Sequence, residues 1–150
     1  MTRVRFAVEV EAASARAWEV VSDPRNLPHW DKHIVRVEGV DGGLAEGVRY
    51  TTVMSFLSVQ ANVHCRVRSW DPPFLASIEL EGLLEGTVDT TLTSLEGGER
   101  CRLEHDVDFR FRGGPLGAFA ARSVRLVGGA QLALRHGTLA QKREIESRAR

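Results

Sequence analysis

PLGAFAARSVRLVGGAQLALRHGTLAQKREIE, residues 115–146, reads as one long helix. Gly113 and Gly114 loosen the backbone ahead of it, and Pro115 suits a first helical position, where a missing N–H costs little. At 3.6 residues per turn, Leu116, Ala120, Ser123, Val127, Ala130, Leu134, Gln141 and Ile145 share one face. Arg122, Arg125, His136 and Arg143 fall roughly opposite. About 30 residues of helix span roughly 45 Å, so this element needs a broad partner surface. The middle of its inner face carries small side chains, Ala120, Ser123 and Ala130, with Gly128, Gly129 and Gly137 nearby. Gly128-Gly129 is also where such a helix would kink or break. Protein interiors leave few voids. A small-residue helix face over a bulky sheet face therefore packs very close or leaves a cavity, and a cavity is expected here.

The chain ahead of the helix supplies the sheet. Val4, Phe6, Val8 and Val10 alternate with Arg3, Arg5, Glu9 and Glu11, the pattern of a half-buried strand. Ser14 suits the N-cap of a short helix carrying Ala17, Trp18 and Val21 inward. Asp23-Pro24 opens a second short helix anchored by Leu27 and Trp30. His33 to Val40 reads as a less regular second strand turned by Asp41-Gly42-Gly43. A meander follows. Its inward sets are Val48, Tyr50, Thr52, Met54 and Phe56, then Val59, Ala61, Val63, Cys65 and Val67, then Ala76, Ile78 and Leu80. The last two strands point Leu84, Gly86, Val88, Thr90 and Leu92 inward, then Leu103, His105, Val107, Phe109 and Phe111. Asp71-Pro72-Pro73 and Gly97-Gly98 are the turns between them. Seven strands with one wet and one dry face make an antiparallel sheet covered on one side. The outer face mixes Arg with Asp and Glu as cross-strand pairs.

The totals narrow the function classes. A chain of 150 residues with 43% apolar and 27% charged residues suits one folded domain over residues 1–150. Lys+Arg 20 against Asp+Glu 20 leaves no net charge, so nucleic acid is not an expected partner. The C-terminal Lys142, Arg143, Arg148 and Arg150 read as a solvated helix end complementing the helix dipole. No apolar run reaches the roughly 18–20 residues that span a bilayer, so stable membrane insertion is not expected. Arg3, Arg5, Glu9 and Glu11 interrupt any signal-like N-terminus, and a reducing, cytoplasmic location is the default. Cys65 and Cys101 form neither a disulfide framework nor a metal motif. With His64 and His105 they lie on different strands without ligand spacing, so no metal is expected. No nucleotide or dinucleotide fingerprint is present, so no cofactor is expected either. Oligomeric state is not fixed by these patterns, and a homodimer stays open.

The order of strand, two short helices, six strands and a long terminal helix, an α+β arrangement, resembles the helix-grip fold. Within it, Ala17-Trp18-Glu19-Val20-Val21-Ser22-Asp23-Pro24 with Leu27-Pro28 and Trp30 is similar to the opening of the polyketide cyclase/dehydratase and lipid-transport family of the START-like superfamily. Gly47-Val48-Arg49-Tyr50 and Trp70-Asp71-Pro72-Pro73 fit the same family. The resemblance covers essentially the whole chain. It implies a curved sheet gripping the terminal helix, and either ligand binding or polyketide-type chemistry. The matching residues are scaffold, so no catalytic residue carries over, and fold likeness alone does not decide activity.

Parity supplies the candidate residues. His105 points at the helix between Leu103 and Val107. Burial favours its neutral form, which suits a general base or acid in a ring closure or dehydration. It equally suits a core histidine bonded to a nearby hydroxyl or carbonyl. Tyr50 could donate to a ligand carbonyl or simply bury its ring. Thr90 also points inward. Trp30, Met54, Phe56 and Phe109, opposite Ser123 and Val127 of the helix, describe a pocket wall for a flat apolar ligand. His64 and Arg66 sit on the outer face by the same count, and a one-residue bulge would swing both inward. The expected partner is a small hydrophobic or aromatic molecule, bound in a cavity mouthed by the two short helices and the Asp41 to Glu46 loop. The alternative is a cyclase, aromatase or dehydratase acting on a poly-β-ketone there, with His105 and Tyr50 handling protons.

Overall fold

β1 (Thr2–Val10) starts the chain in the computed structural model, which describes residues 1–149. Arg150 of the basic C-terminal set lies outside the described residues. α1 (Ser14–Val21) and a 3₁₀ helix (Pro24–His29) follow, then β2 (Ile34–Glu38), β3 (Arg49–Phe56), β4 (Val59–Asp71) and β5 (Leu75–Gly82). β6 (Leu84–Ser94), β7 (Cys101–Phe111), α2 (Pro115–Leu126) and α3 (Gly129–Arg148) complete it. The strands form one seven-stranded antiparallel sheet in the order β1-β7-β6-β5-β4-β3-β2. The helices cover one face of it, as the period-two alternation predicts.

Cross-strand ion pairs hold the outer face. Arg66 faces Glu79 across β4 and β5 at 2.5 Å, and Arg110 faces Glu85 across β6 and β7 at 2.7 Å. Each contributes up to about 1 kcal/mol. The inner face divides into two apolar clusters. One gathers Trp18, Trp30, Leu92, Leu103 and Ile145 beneath α1 and α3. The other gathers Tyr50, Met54, Phe56, Val63, Ala120 and Val124 beneath α2.

Two local expectations change. Ser14 is not the N-cap of α1. Ala13 holds that position without a side-chain cap, and Ser14 Oγ lies 3.0 Å from Ser94 Oγ of β6. The Ser14 hydroxyl thus bonds to the sheet and not to the first amides of the helix. The terminal helix is also two helices. Gly128, at φ +100°, ends α2 in the left-handed conformation that favours glycine. Val127 and Leu126 lie at this break, 38% and 74% exposed, and leave the inner face. Gly117 lets α2 dock at all, because a Cβ there would sit 1.6 Å from the Arg112 carbonyl oxygen.

β1 is an edge strand, and α3 lies along its free edge. Gln131 Nε2 donates to the Arg5 carbonyl at 2.8 Å, and Lys142 Nζ donates to the Glu9 carbonyl at 2.9 Å. Glu146 accepts the Glu11 amide at 2.9 Å. The other edge, β2, is five residues long, irregular between Ile34 and Arg36, and charged at Arg36 and Glu38.

Candidate functional site

A cavity of about 310 Å³ lies between the sheet and the helices. Its walls draw on both apolar clusters: Trp30 and Ala76 from the first, Tyr50, Met54, Phe56, Val63, Cys65 and Val124 from the second. The helical side is thinly furnished, with Ala130, Ala133 and Gly137 of α3 beside Leu134. Gly137 also lets the 3₁₀ segment close in, since a Cβ there would meet the Trp30 carbonyl oxygen at 3.2 Å. Trp30 is fixed at its other end, where Nε1 donates to Glu144 Oε2 at 2.7 Å.

Seven of the nine residues expected at the pocket wall line this cavity: Trp30, Tyr50, Met54, Phe56, Thr90, His105 and Phe109. Ser123 and Val127 do not. Ser123 is buried, but its Oγ bonds back to the Phe119 carbonyl at 3.0 Å, a local bond open to any helical serine. Val127 is carried outward by the break at Gly128. Of the expected mouth, Val21 and Ser22 at the end of α1, Pro24 and Leu27 of the 3₁₀ segment, and Leu44 of the loop contribute side chains.

His105 is buried and tied at both nitrogens. Nε2 lies 2.6 Å from Gln141 Oε1 of α3, and Nδ1 lies 2.8 Å from Thr90 Oγ1 of β6. This fits a neutral imidazole whose Nε2–H donates to Gln141 while Nδ1 accepts the threonine proton. Burial lowers the His105 pKa below the ordinary histidine value, with the Gln141 bond opposing it. Tyr50 pairs with Cys65 across β3 and β4. Burial first, then the adjacent Cys65, pushes its phenol well above the usual range. Burial likewise raises the Cys65 thiol. Phenol and thiol therefore stay protonated at neutral pH.

His64 and Arg66 remain on the outer face. Register between β3 and β4 runs unbroken from Arg49–Arg66 to Phe56–Val59, and His64 Nδ1 lies 3.3 Å from Thr51 Oγ1. A bulge does occur in β4, one step later, between Val67 and Ser69. It reverses the parity of the residues beyond it. Trp70, outward by simple alternation, turns inward opposite Ala76, lines the cavity and packs edge-on against Trp18 at 4.9 Å. Only the cluster of Asp71-Pro72-Pro73 just after it hints that the strand is ending irregularly.

A second residue that alternation passed over is His33. It lines the cavity just before β2, stacked on Phe56 with ring centroids 5.1 Å apart. Its Nε2 is buried and has no hydrogen-bond partner among the described residues. Among those residues no helix is long and apolar enough to cross a membrane, and no cluster of His, Cys, Asp or Glu could hold a metal.

Known proteins resemble this chain in sequence or in fold. A Mycobacterium tuberculosis protein, itself described as uncharacterised, is 30% identical over 131 residues, covering 83% of this chain and 90% of its own. The Zhui aromatase/cyclase from Streptomyces sp. R1128 superposes with a TM-score of 0.77 at 18% identity, covering 99% of this chain and 96% of its own. A START superfamily protein from Mycobacterium smegmatis gives 0.69 at 17% identity, with 97% of each chain covered. Both likenesses establish the START-like helix-grip fold and nothing finer. The family model described as polyketide cyclase / dehydrase and lipid transport matches residues 1–140. A curved sheet, a capping pair of helices and a cavity between them thus come with a sequence match over nearly the full length, and the chain belongs to the polyketide cyclase/dehydrase and lipid transport family.

Proposed function

We propose that this protein takes up a small hydrophobic or aromatic molecule in the cavity between sheet and helices. The observation that carries the reading is the cavity itself, about 310 Å³ and walled chiefly by Trp30, Met54, Phe56, Trp70 and Phe109. That volume falls at the lower end of ligand pockets. Burying ligand surface at roughly 25 cal/mol per Å² would drive uptake. The buried thiols of Cys65 and Cys101, both free, suit a reducing compartment such as the cytoplasm.

Native mass spectrometry of the freshly purified protein, with thermal shifts for two-ring aromatics and fatty acids, tests the proposal. A co-purifying small molecule or a saturable rise in melting temperature supports it. No bound mass and no shift across the series refutes it.

A second reading, an enzyme of the cyclase type, draws on the likeness to the aromatase/cyclase and on His105 and Tyr50 at the wall. A pocket that orients a reactive chain already supplies much of an acceleration. The bonding of both His105 nitrogens favours binding over proton transfer. A poly-β-ketone substrate separates the two. The enzyme reading requires a new chromophore that disappears in Tyr50→Phe at a near-native melting temperature, or in His105→Ala at a temperature where that variant is still folded. Binding alone gives no chromophore.

A further inference from the structure

Of the two histidines at the cavity wall, His105 is fully engaged by Gln141 and Thr90. His33 is not. Its backbone is pinned on both sides, the amide donating to Asp31 Oδ1 at 2.8 Å and the carbonyl accepting from Ser55 at 2.7 Å. Its ring is held nearly parallel to that of Phe56, with an interplanar angle of 24°. The side chain is thus placed, and Nε2 is closed off from bulk solvent without a partner among the described residues. Buried polar atoms in native proteins nearly always find a partner, because leaving one unmade is costly.

We infer that His33 Nε2 is the polar anchor of the cavity, and that the bound molecule is a flat two-ring compound carrying a hydroxyl group. This rests on the ligand-binding reading above. A hydroxyl suits the position because it can donate to a bare imidazole nitrogen or accept from its N–H, whichever tautomer is present. Around it the wall offers Ile34, Met54 and Phe56, with Asp31 accepting the His33 amide on Oδ1. Size points the same way. A cavity of about 150 Å³ holds one benzene ring, and this one is about 310 Å³. The flat rings would lie against Phe56 and Met54, with the oxygen turned to His33.

The test compares 2-naphthol with 2-methylnaphthalene, which replaces the hydroxyl by a methyl of similar size. Titration calorimetry of the wild type should show the naphthol binding about tenfold tighter, the equivalent of one net hydrogen bond. His33→Phe should bring the two affinities together by weakening the naphthol alone. In protein labelled with ¹⁵N-histidine, the His33 Nε2 resonance should move with 2-naphthol and stay in place with 2-methylnaphthalene. That measurement stands even if the variant fails to fold. Equal wild-type affinities, a preference that survives in His33→Phe, or an unmoved His33 resonance each overturn the anchor while leaving the binding cavity intact. Failure of both compounds to bind overturns the anchor, and the cavity reading falls with it only when the fatty acids also fail to bind.

Discussion

His105 shows how one side chain joins the sheet to the helix that covers it. Its two bonds run to β6 on one side and to α3 on the other, so it is a staple as much as a pocket residue. His105→Leu leaves Gln141 and Thr90 without their partner and should cost about 2–3 kcal/mol at neutral pH, measured by urea unfolding. The pH dependence comes from the direction of its shift. The folded pKa lies below the ordinary value, so between the two it is the unfolded chain that binds the extra proton. Stability contributed by neutral His105 is therefore present above about pH 6.5 and is lost as pH falls below it, by up to about 1.4 kcal/mol per pH unit. The variant lacks this proton, so the stability gap should narrow as pH falls from about 6.5 to 5. A constant gap would show that the imidazole does not titrate with folding. The thiols give a second check at this scale. Burial raises both Cys65 and Cys101, so neither should react readily with a water-soluble disulfide reagent until denaturant is added. Rapid labelling of the native protein would contradict the packing around them.

Among the elements, the glycine break between α2 and α3 sets how the cap lies on the sheet. Gly128→Ala forces a side chain into the left-handed conformation and should cost about 1–2 kcal/mol. A Cβ there would also meet Leu132 Cδ2 at 2.3 Å, but that side chain is partly exposed and can move aside. Gly113→Ala is the control. It has nothing within 4 Å and no positive φ, so it should be neutral or stabilise by up to about 1 kcal/mol. Equal effects would mean that the break is not held by backbone conformation. The strands were legible because their outer faces are charged; the alternation of Arg102, Glu104 and Asp106 with Leu103, His105 and Val107 orients β7 by itself. What period two does not carry is a change of period. The extra residue Arg68 reverses Trp70, and His33 stands before its strand begins. Alternation also shows which way His105 points but not what meets it, since Gln141 lies 36 residues further along the chain.

For the whole molecule, occupancy and stability are linked. If the cavity takes a guest only when folded, melting temperature should keep rising with the logarithm of ligand concentration well above the dissociation constant. A plateau at one equivalent would point to another mode of action. The contacts of Gln131 and Lys142 along β1 bear on something else, how copies of the chain meet. Exposed sheet borders are templates for recruiting a neighbour's backbone. Here α3 lies along that border and takes up two of its carbonyls, those of Arg5 and Glu9, and the opposite border is short, irregular and charged. Both borders are thus poor templates for a neighbour's backbone, and a ribbon running from one molecule into the next along β1 would have to displace the side chains of Gln131 and Lys142 first.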